Sequence, residues 1–274
     1  MKLGRMFAAA SVLFILAGEA SQTFAAEIDM HENRVNLSGE IVHGDAEKFV
    51  TSLLKSQVMA ASLYVSSSGG DLVEALRIAD IVKGLRFQVF VAKGKTCISS
   101  CFFIWLAGAS RYTGYGLVND DGILAPQARR ERAFGVIGIH RPYLKNPLGT
   151  PDATARQEEG MRKVRNYLVS VGLAQYLIDE MMSRPSNDVY WLRAKDIESI
   201  GEHPPGIEET LITKCGYKRP SKAFQENWSE EKEVEVMRCS KDIVIIPRVD
   251  YLAFSMRLKN GWRPWSLREI RESR

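Results

Sequence analysis

Two short apolar strands, each followed by a turn of small residues and then by an apolar helix, limit most strongly what this chain can fold into. The first strand is predicted over Ala61–Val65 and leads through the turn Ser66–Asp71 into a helix that ends at Gly84. The second is predicted over Phe87–Ala92 and leads into a helix over Phe102–Ala109. Short apolar strands are typical of a parallel sheet buried on both faces. The alternation therefore predicts an α/β fold built from right-handed βαβ units.

The remaining elements continue this alternation up to about Gly201. They are predicted over Asn33–His43 (strand), from Asp45 as cap (helix), over Val136–Ile139 (strand), near Thr154–Val171 and Leu173–Ser183 (helices) and over Asp188–Gly201 (turn and helix). The stretch Tyr112–Phe134 has little periodicity. It is predicted to be a long loop, a kind of segment that is uncommon unless it is functional or disordered.

The first residues have the pattern of a secretion signal. A basic start is followed by the apolar run Met6–Gly18, and small residues lead to Ala25 and Ala26. Cleavage is expected after one of these two alanines, so residues 1–26 are predicted to be a signal peptide. The apolar run is shorter than the ~20 residues that span a bilayer, and we find no other candidate span in the sequence. A periplasmic or secreted protein without a membrane span after cleavage is expected.

The composition changes after Pro205. Lys, Glu and Trp interleave with short strand-like pieces such as Ile243–Ile246, which predicts a main domain over residues 27–205 and a small C-terminal domain over residues 206–274. Tryptophans and arginines near the C-terminus are compatible with a docking face for a partner. The core of a small domain is the favoured interpretation, since such domains often use tryptophan there.

Charge argues against nucleic acid as a partner. The formal net charge of the chain is +4, and loss of Lys2, Arg5 and Glu19 with the signal lowers it by one. Proteins that bind nucleic acid through their charge carry a stronger basic excess or a clustered basic patch. No nucleic-acid partner is therefore expected.

Four cysteines in an exported chain can form two disulfides, with three connectivities that the sequence alone does not separate. Neighbour pairing, Cys97 with Cys101 and Cys215 with Cys239, is the simplest of the three. Free buried thiols are the alternative. Zinc binding by the first pair is disfavoured because no fourth ligand is evident, so neither a metal nor a cofactor is expected.

Three features of the sequence indicate a hydrolytic site. Ser99 lies where a strand meets a buried helix, so that free amide N–H groups can stabilise negative charge. Gly69 and Gly70 link a strand to a helix, and their bare backbone can approach a ligand closely. Of the four histidines, His140 alone ends a buried strand, at the sheet edge where α/β proteins bind ligands. Taken singly, each has a plainer interpretation: a helix cap, a tight turn and a structural histidine.

Three motifs in fixed order resemble a known family. Ser-x-Gly-Gly-Asp ends at Asp71, Cys-x-Ser-x-Cys spans 97–101 before a helix ending in Ala-Gly-Ala, and Ile-Gly-Ile-His-Arg-Pro spans 137–142. Together they resemble the ClpP-like branch of the Clp-protease/crotonase superfamily, in particular members thought to be periplasmic that carry a cysteine on either side of the serine. The resemblance covers about Asn33 to Gly201. It implies a spiral of ββα units, here with a small C-terminal appendage.

The resemblance assigns roles residue by residue. Ser99 matches the nucleophile, because its spacing to the Ala-Gly-Ala of the following helix is that of the protease, and His140 matches the triad histidine. Gly70, in the turn with Gly69, and the amide of Ser100 match the oxyanion donors. A disulfide between the cysteines that flank the nucleophile would fix its turn.

The third triad member matches less well. A gapless match puts Val189 at the acid position and Asp188 one residue early, and a shift in the preceding loop would bring Asp188 into place. Asp188 is taken as the acid, with a helix cap or a surface carboxylate as the alternative. The long loop Tyr112–Phe134 is a second departure, because it would cover the site or block the ring stacking of the barrel-forming protease.

An exported serine hydrolase is the function that these features predict, with a peptide or protein as substrate and no cofactor. The resemblance is also compatible with a homo-oligomer. A binding or scaffold protein that keeps the fold without turnover is the main alternative, because fold does not imply chemistry. An acyl-thioester enzyme is a third hypothesis. It is disfavoured because Ser66–Asp71 contains no basic residues that could bind a nucleotide-like carrier.

Overall fold

The computed structural model describes residues 25–31, 34–56, 62–113, 135–143, 151–219 and 229–247, with single positions at 250, 253, 256 and 257. These form a mixed α/β structure. The predicted long loop falls largely outside the described residues, as does nearly all of the predicted signal peptide.

Eight strands are assigned in the described ranges. They are β1 Glu27–His31, β2 Arg34–Ser38, β3 Ser62–Ser66, β4 Gln88–Phe90, β5 Thr96–Ile98, β6 Ser110–Tyr112, β7 Val136–Ile139 and β8 Tyr190–Trp191.

Eight helices are assigned in the same ranges. They are α1 Asp45–Ser56, α2 Leu72–Gly84, α3 Cys101–Leu106, α4 Pro151–Ser170, α5 Gln175–Ser183, α6 Ala194–Ile200, α7 Pro205–Cys215 and α8 Glu230–Val244. None of the helices in the part of the chain that the structure describes is long and apolar enough to cross a membrane.

The strands form two sheets. The larger has the order β1-β2-β3-β4-β6, in which β1 and β2 are antiparallel and every later pair is parallel. The smaller has the order β5-β7-β8, with β5 and β7 parallel and β8 antiparallel to β7. A single bridge between Ser67 and Cys97 links the two sheets. The carboxyl ends of β3 and β5 are thereby brought together.

Several elements lie where the sequence predicts them. Asp71 caps α2, since its carboxylate accepts hydrogen bonds from the N–H groups of Val73 and Glu74, and α2 ends at Gly84. The strand over Val136–Ile139 is confirmed with the same bounds. The strand predicted over Asn33–His43 is shorter, because Gly39 adopts a positive φ and the chain turns there.

The predicted strand over Ile243–Ile246 is wrong. Its first two residues are the last two of helix α8, which packs on α7. The helix buries Val236 and Val244 along an otherwise polar sequence, and the disulfide from Cys239 to Cys215 ties it to α7. Helix packing and this bridge outweigh the strand propensity of a short β-branched run.

Large apolar side chains of α2 and α3 form the centre of the core with those of the parallel strands. The largest that are fully buried include Trp105, Phe49, Phe87, Phe102 and Phe103. Ile246, beyond α8, belongs to the same cluster, so the C-terminal region packs on the main core. On the larger sheet, Tyr64, Phe90 and Tyr112 form a half-buried stacked row, with the Arg34 guanidinium 5.0 Å from the Tyr64 ring centroid.

Candidate active site

The two glycines after β3 have backbones that other residues rarely adopt. Gly69 has φ +95° and Gly70 has φ +136°. A Cβ on Gly70 would lie 2.1 Å from the carbonyl oxygen of Ile41. The Ser67 hydroxyl accepts a hydrogen bond from the Gly69 N–H at 3.0 Å, which fixes the turn. Only glycine fits both positions, because the turn needs positive φ and close backbone approach at once.

Ser99 stands in the turn between β5 and α3. Its backbone has φ +58°, a left-handed conformation that is uncommon for a residue other than glycine. Its N–H donates to the Gly138 carbonyl at 2.9 Å, and its carbonyl accepts from the Phe102 N–H at 3.0 Å. The side chain is half-buried. Residues held in such conformations by their surroundings cluster at functional sites.

The glycine turn packs directly against the Ser99 turn. A Cβ on Gly69 would lie 2.6 Å from the Ser99 Cβ, 2.7 Å from the Ile98 carbonyl oxygen and 3.1 Å from the Ser100 nitrogen. The structure therefore brings together Gly69, Ser99 and Ser100, three of the residues that the sequence predicts for the site. The bridge at Ser67, with N–H to Thr96 carbonyl at 2.8 Å, holds the two turns in this position.

Two backbone N–H groups of these turns, those of Gly70 and Ser100, have no acceptor in the described ranges. Asp71 N–H and the Gly69 carbonyl both bond to Ile41, so Gly70 between them directs its N–H away from that strand. Neither the Gly70 N–H nor the Ser100 N–H donates a hydrogen bond among the described residues. The Ser100 hydroxyl is buried and has no hydrogen-bond partner among the residues described. Free N–H groups beside a serine are what an oxyanion requires.

A disulfide closes the Ser99 turn. Cys97, the middle residue of β5, is bonded to Cys101, the first residue of α3, with Cα atoms 5.3 Å apart. Both cysteines are fully buried. The second bridge joins Cys215 and Cys239. The structure thus has the neighbour pairing that is the simplest of the three connectivities.

His140 follows β7 and is buried, with 7% of its surface exposed. Its Nδ1 lies 3.0 Å from the carbonyl oxygen of Arg141. A carbonyl oxygen only accepts, so Nδ1 carries the proton and Nε2 of the neutral ring keeps a lone pair. Ser99 pairs with β7 two residues before His140, through Gly138. Among the described residues the Ser99 hydroxyl forms no hydrogen bond, to His140 or to any other group.

Asp188 lies in the loop before β8 and is turned toward α5. Its Oδ2 accepts a hydrogen bond from the Arg184 guanidinium at 2.7 Å, and its side chain is 49% exposed. Arg184 also donates to Glu180. The next residue, Val189, packs on β7, because its Cγ1 would lie 2.5 Å from a Cβ on Gly138. Among the described residues no hydrogen bond joins the Asp188 carboxylate to His140, and Asp188 as the triad acid stays a prediction.

A second serine and histidine pair lies at the edge of the larger sheet. The Ser110 hydroxyl is 3.2 Å from Nδ1 of His203, and both residues are buried. The same Nδ1 donates to the Ala109 carbonyl at 2.8 Å, so it presents a proton to the serine. His203 is therefore not oriented as a base for Ser110.

Sequence analysis missed the group that orients His140. A backbone carbonyl such as that of Arg141 has no signal in side-chain identity. It also missed Ser67, whose position in the Ser-x-Gly-Gly motif was visible but whose hydrogen bond to Gly69 depends on the folded turn.

Comparisons with known proteins add little to this geometry. No family model matches the sequence, and no curated protein matches it. Among solved structures, a ClpP1 point mutant from Listeria monocytogenes is similar in part, with a TM-score of 0.39 and 17% sequence identity over 61% of this chain and 86% of that chain. This level of similarity gives no information on chemistry.

Proposed function

We propose that this chain is an exported serine hydrolase that cleaves peptide bonds, with Ser99 as nucleophile and His140 as base. One observation carries the proposal: the Gly69–Gly70 turn packs on the Ser99–Ser100 turn, and the N–H groups of Gly70 and Ser100 find no acceptor within the part of the chain that the structure describes. A plain tight turn has no need of two free donors at one contact. An oxyanion hole for acyl transfer needs them.

The chemistry follows from these groups. Nε2 of His140 takes the proton of the Ser99 hydroxyl as Oγ attacks the carbonyl carbon of the substrate. The Gly70 and Ser100 N–H groups stabilise the negative oxygen of the tetrahedral intermediate. The His140 imidazolium then protonates the leaving amine, which departs, and water hydrolyses the acyl-enzyme by the same steps in reverse. Removal of one oxyanion donor costs about a hundredfold in rate.

The Arg141 carbonyl orients the imidazole in this proposal. It accepts from Nδ1, the atom that an acid would hold in a Ser-His-Asp triad, and so selects the tautomer in which Nε2 is the base. Asp188 would have to leave Arg184 to take this place. We therefore propose a serine–histidine dyad supported by a main-chain oxygen.

Export and architecture belong to the same proposal. Two disulfides fit an oxidising compartment, and the N-terminal pattern fits a secretion signal. The α/β arrangement and the motif order support a ClpP/crotonase-like spiral over residues 27–205 with an appendage over 206–274. The proposed partner is a peptide or protein substrate, and self-association into a homo-oligomer is part of the same proposal.

One observation favours a second function, a crotonase-like binding protein without turnover. The Ser99 hydroxyl has no hydrogen-bonded base among the described residues. Catalytic hydrogen bonds are often long without substrate and tighten only when it binds, so the hydrolase remains the better-supported proposal.

A peptide-library digest separates the two. Mature wild-type protein and the variants Ser99→Ala, His140→Ala and Ser100→Ala are incubated with the library, and new termini are identified by mass spectrometry. Ser100→Ala is the matched control, since only the backbone of Ser100 takes part. We expect cleavage by wild type and Ser100→Ala alone. Binding of peptides without cleavage by any of the four proteins would support the binding protein instead.

A further inference from the structure

We propose that the mature chain begins at Ala26 and that its new α-ammonium forms a buried ion pair with Asp45. The proposal rests on the export proposed above. It names one peptide bond, Ala25–Ala26, as the site of processing. Hydrolysis of that bond consumes one water and leaves a carboxylate on Ala25 and an ammonium on Ala26.

Asp45 is a buried side chain that pairs with no cation of the described residues. The residue is 3% exposed, and its Oδ2 accepts hydrogen bonds from the Val42 N–H at 2.8 Å and the Ala26 N–H at 3.4 Å. None of the ion pairs between described residues includes Asp45. A buried charge is costly unless an opposite charge or several hydrogen bonds compensate it. No described side chain therefore supplies a cation next to Oδ2.

Cleavage before Ala26 supplies that cation where it is missing. The Ala26 nitrogen is already within hydrogen-bond distance of Oδ2, and the residue is fully buried. Its carbonyl oxygen accepts a hydrogen bond from Nζ of Lys48 at 2.5 Å, so the residue is held on both sides. Cleavage one residue later would remove Ala26 altogether. The hydrogen bonds of Ala26 with Asp45 and Lys48 would then both be lost.

The sequence before the bond supports the same choice independently. Cleavage after Ala25 places small residues, Thr23 and Ala25, at the third-last and last positions of the leader. Cleavage after Ala26 would place Phe24 at the third-last position. Signal cleavage sites take small residues at both.

The ion pair would also support the proposed active site. Asp45 holds the Val42 N–H, and the adjacent Ile41 donates to the Gly69 carbonyl at 2.8 Å and accepts from the Asp71 N–H at 2.8 Å. The segment that the new N-terminus anchors is thus the one that positions the Gly69–Gly70 turn.

The first test is the intact mass of wild-type protein exported with its own leader. We expect a single species that starts at Ala26, with both disulfides formed. A species that keeps Met1 would refute the export on which this inference rests. A start at Glu27 or another residue would refute the inference and leave export standing.

The second test measures coupling between the N-terminus and Asp45. Four proteins are compared by thermal unfolding: chains that start at Ala26 or carry a Gly-Ser extension before it, each with Asp45 or with Asp45→Asn. In the Ala26 chain we expect Asp45→Asn to lower Tm by about 6 °C or more, and in the extended chain by less than half as much. Glu27→Gln, at an exposed neighbour, is the control and should show no coupling.

Equal effects of Asp45→Asn in both chains would overturn the inference. If Asp45→Asn prevents folding of the Ala26 chain, the test is the effect of the Gly-Ser extension on the Tm of the chain that keeps Asp45. The extension moves the ammonium away from a wild-type Asp45 and should lower Tm. An unchanged Tm would overturn the inference as well.

Discussion

Substitution of Gly69 by alanine tests whether the contact between the two turns matters for both stability and chemistry. Two costs are expected. Alanine at φ +95° pays about 1–2 kcal/mol for a positive φ. The new methyl group, built 2.6 Å from the Ser99 Cβ and 2.7 Å from the Ile98 carbonyl oxygen, forces the Ser99 turn to move, which costs a further ~1–3 kcal/mol.

Gly44 provides a matched control. It has the same φ of +95°, and a Cβ there meets nothing within 4 Å. Gly44→Ala therefore pays only the backbone cost. The free energy of unfolding of Gly69→Ala should fall below that of Gly44→Ala by about 1–3 kcal/mol, as measured with guanidinium chloride.

Activity should separate the two variants further. Movement of the nucleophile by up to about 1 Å costs on the order of a hundredfold in rate. We expect kcat/KM for peptide cleavage to fall about a hundredfold in Gly69→Ala and to stay within about twofold of wild type in Gly44→Ala. Equal stability and equal activity of the two variants would refute the packing argument.

Three further outcomes are expected. Asp188→Asn should lower kcat/KM by less than about tenfold, because the carboxylate binds Arg184; a loss near the ~10,000-fold of a triad aspartate would make it the acid. Replacement of Cys97 and Cys101 by alanines should lower the free energy of unfolding by about 2 kcal/mol, and the same change at Cys215 and Cys239, which close a longer loop, by ~3.5 kcal/mol. Activity should fall more on loss of Cys97–Cys101, and a larger loss of activity without Cys215–Cys239 would contradict a role of the first bridge at Ser99. Burial raises the pKa of Asp80 to about 6 against the opposing effect of Lys83, so the folded state keeps a proton that the unfolded chain releases, and stability falls as pH rises from about 4 to about 6. The free energy of unfolding of Asp80→Asn, measured with urea, should therefore rise by about 2 kcal/mol relative to that of wild type between pH 4.5 and 7.5. A difference between the two proteins that does not change with pH would refute this.

Local signals explain which parts of the fold could be predicted. The cap at Asp71 and the stop at Gly84 depend on neighbouring residues alone, and the structure has both. β5 is only three residues long and is defined by pairing with β7 and by the bridge at Ser67, which lie far away in sequence. β1 was likewise missed, because its pairing with β2 rather than its own composition makes it a strand.

Some features of the candidate site could be predicted from the sequence and others could not. The approach of Gly69 to Ser99 could be expected from motifs in a fixed order, because the carboxyl ends of successive strands meet at one edge. The direction of the Asp188 side chain could not, because it depends on an ion pair with Arg184. The partner of His140 is a main-chain oxygen, which every residue carries and no motif marks.

Several hydrogen bonds stabilise the buried carboxylate of Asp196. Burial alone would raise its pKa. Hydrogen bonds from the Arg193 N–H, the hydroxyl groups of Tyr190 and Tyr176 and the Arg193 side chain outweigh burial and hold the pKa below its usual value. Asp196 thus belongs to the start of α6 and is already fully bonded. It offers no second acid for His140.

Covalent labelling shows whether Ser99 is an activated nucleophile. Mature wild-type protein and the variants Ser99→Ala, His140→Ala and Ser100→Ala are treated with a fluorophosphonate, and the modified residue is located by peptide mass mapping. We expect one adduct on Ser99 in wild type and in Ser100→Ala, and none in the other two variants. Folded wild-type protein that stays unlabelled, or an adduct on any other serine, would contradict the assignment of Ser99 as an activated nucleophile.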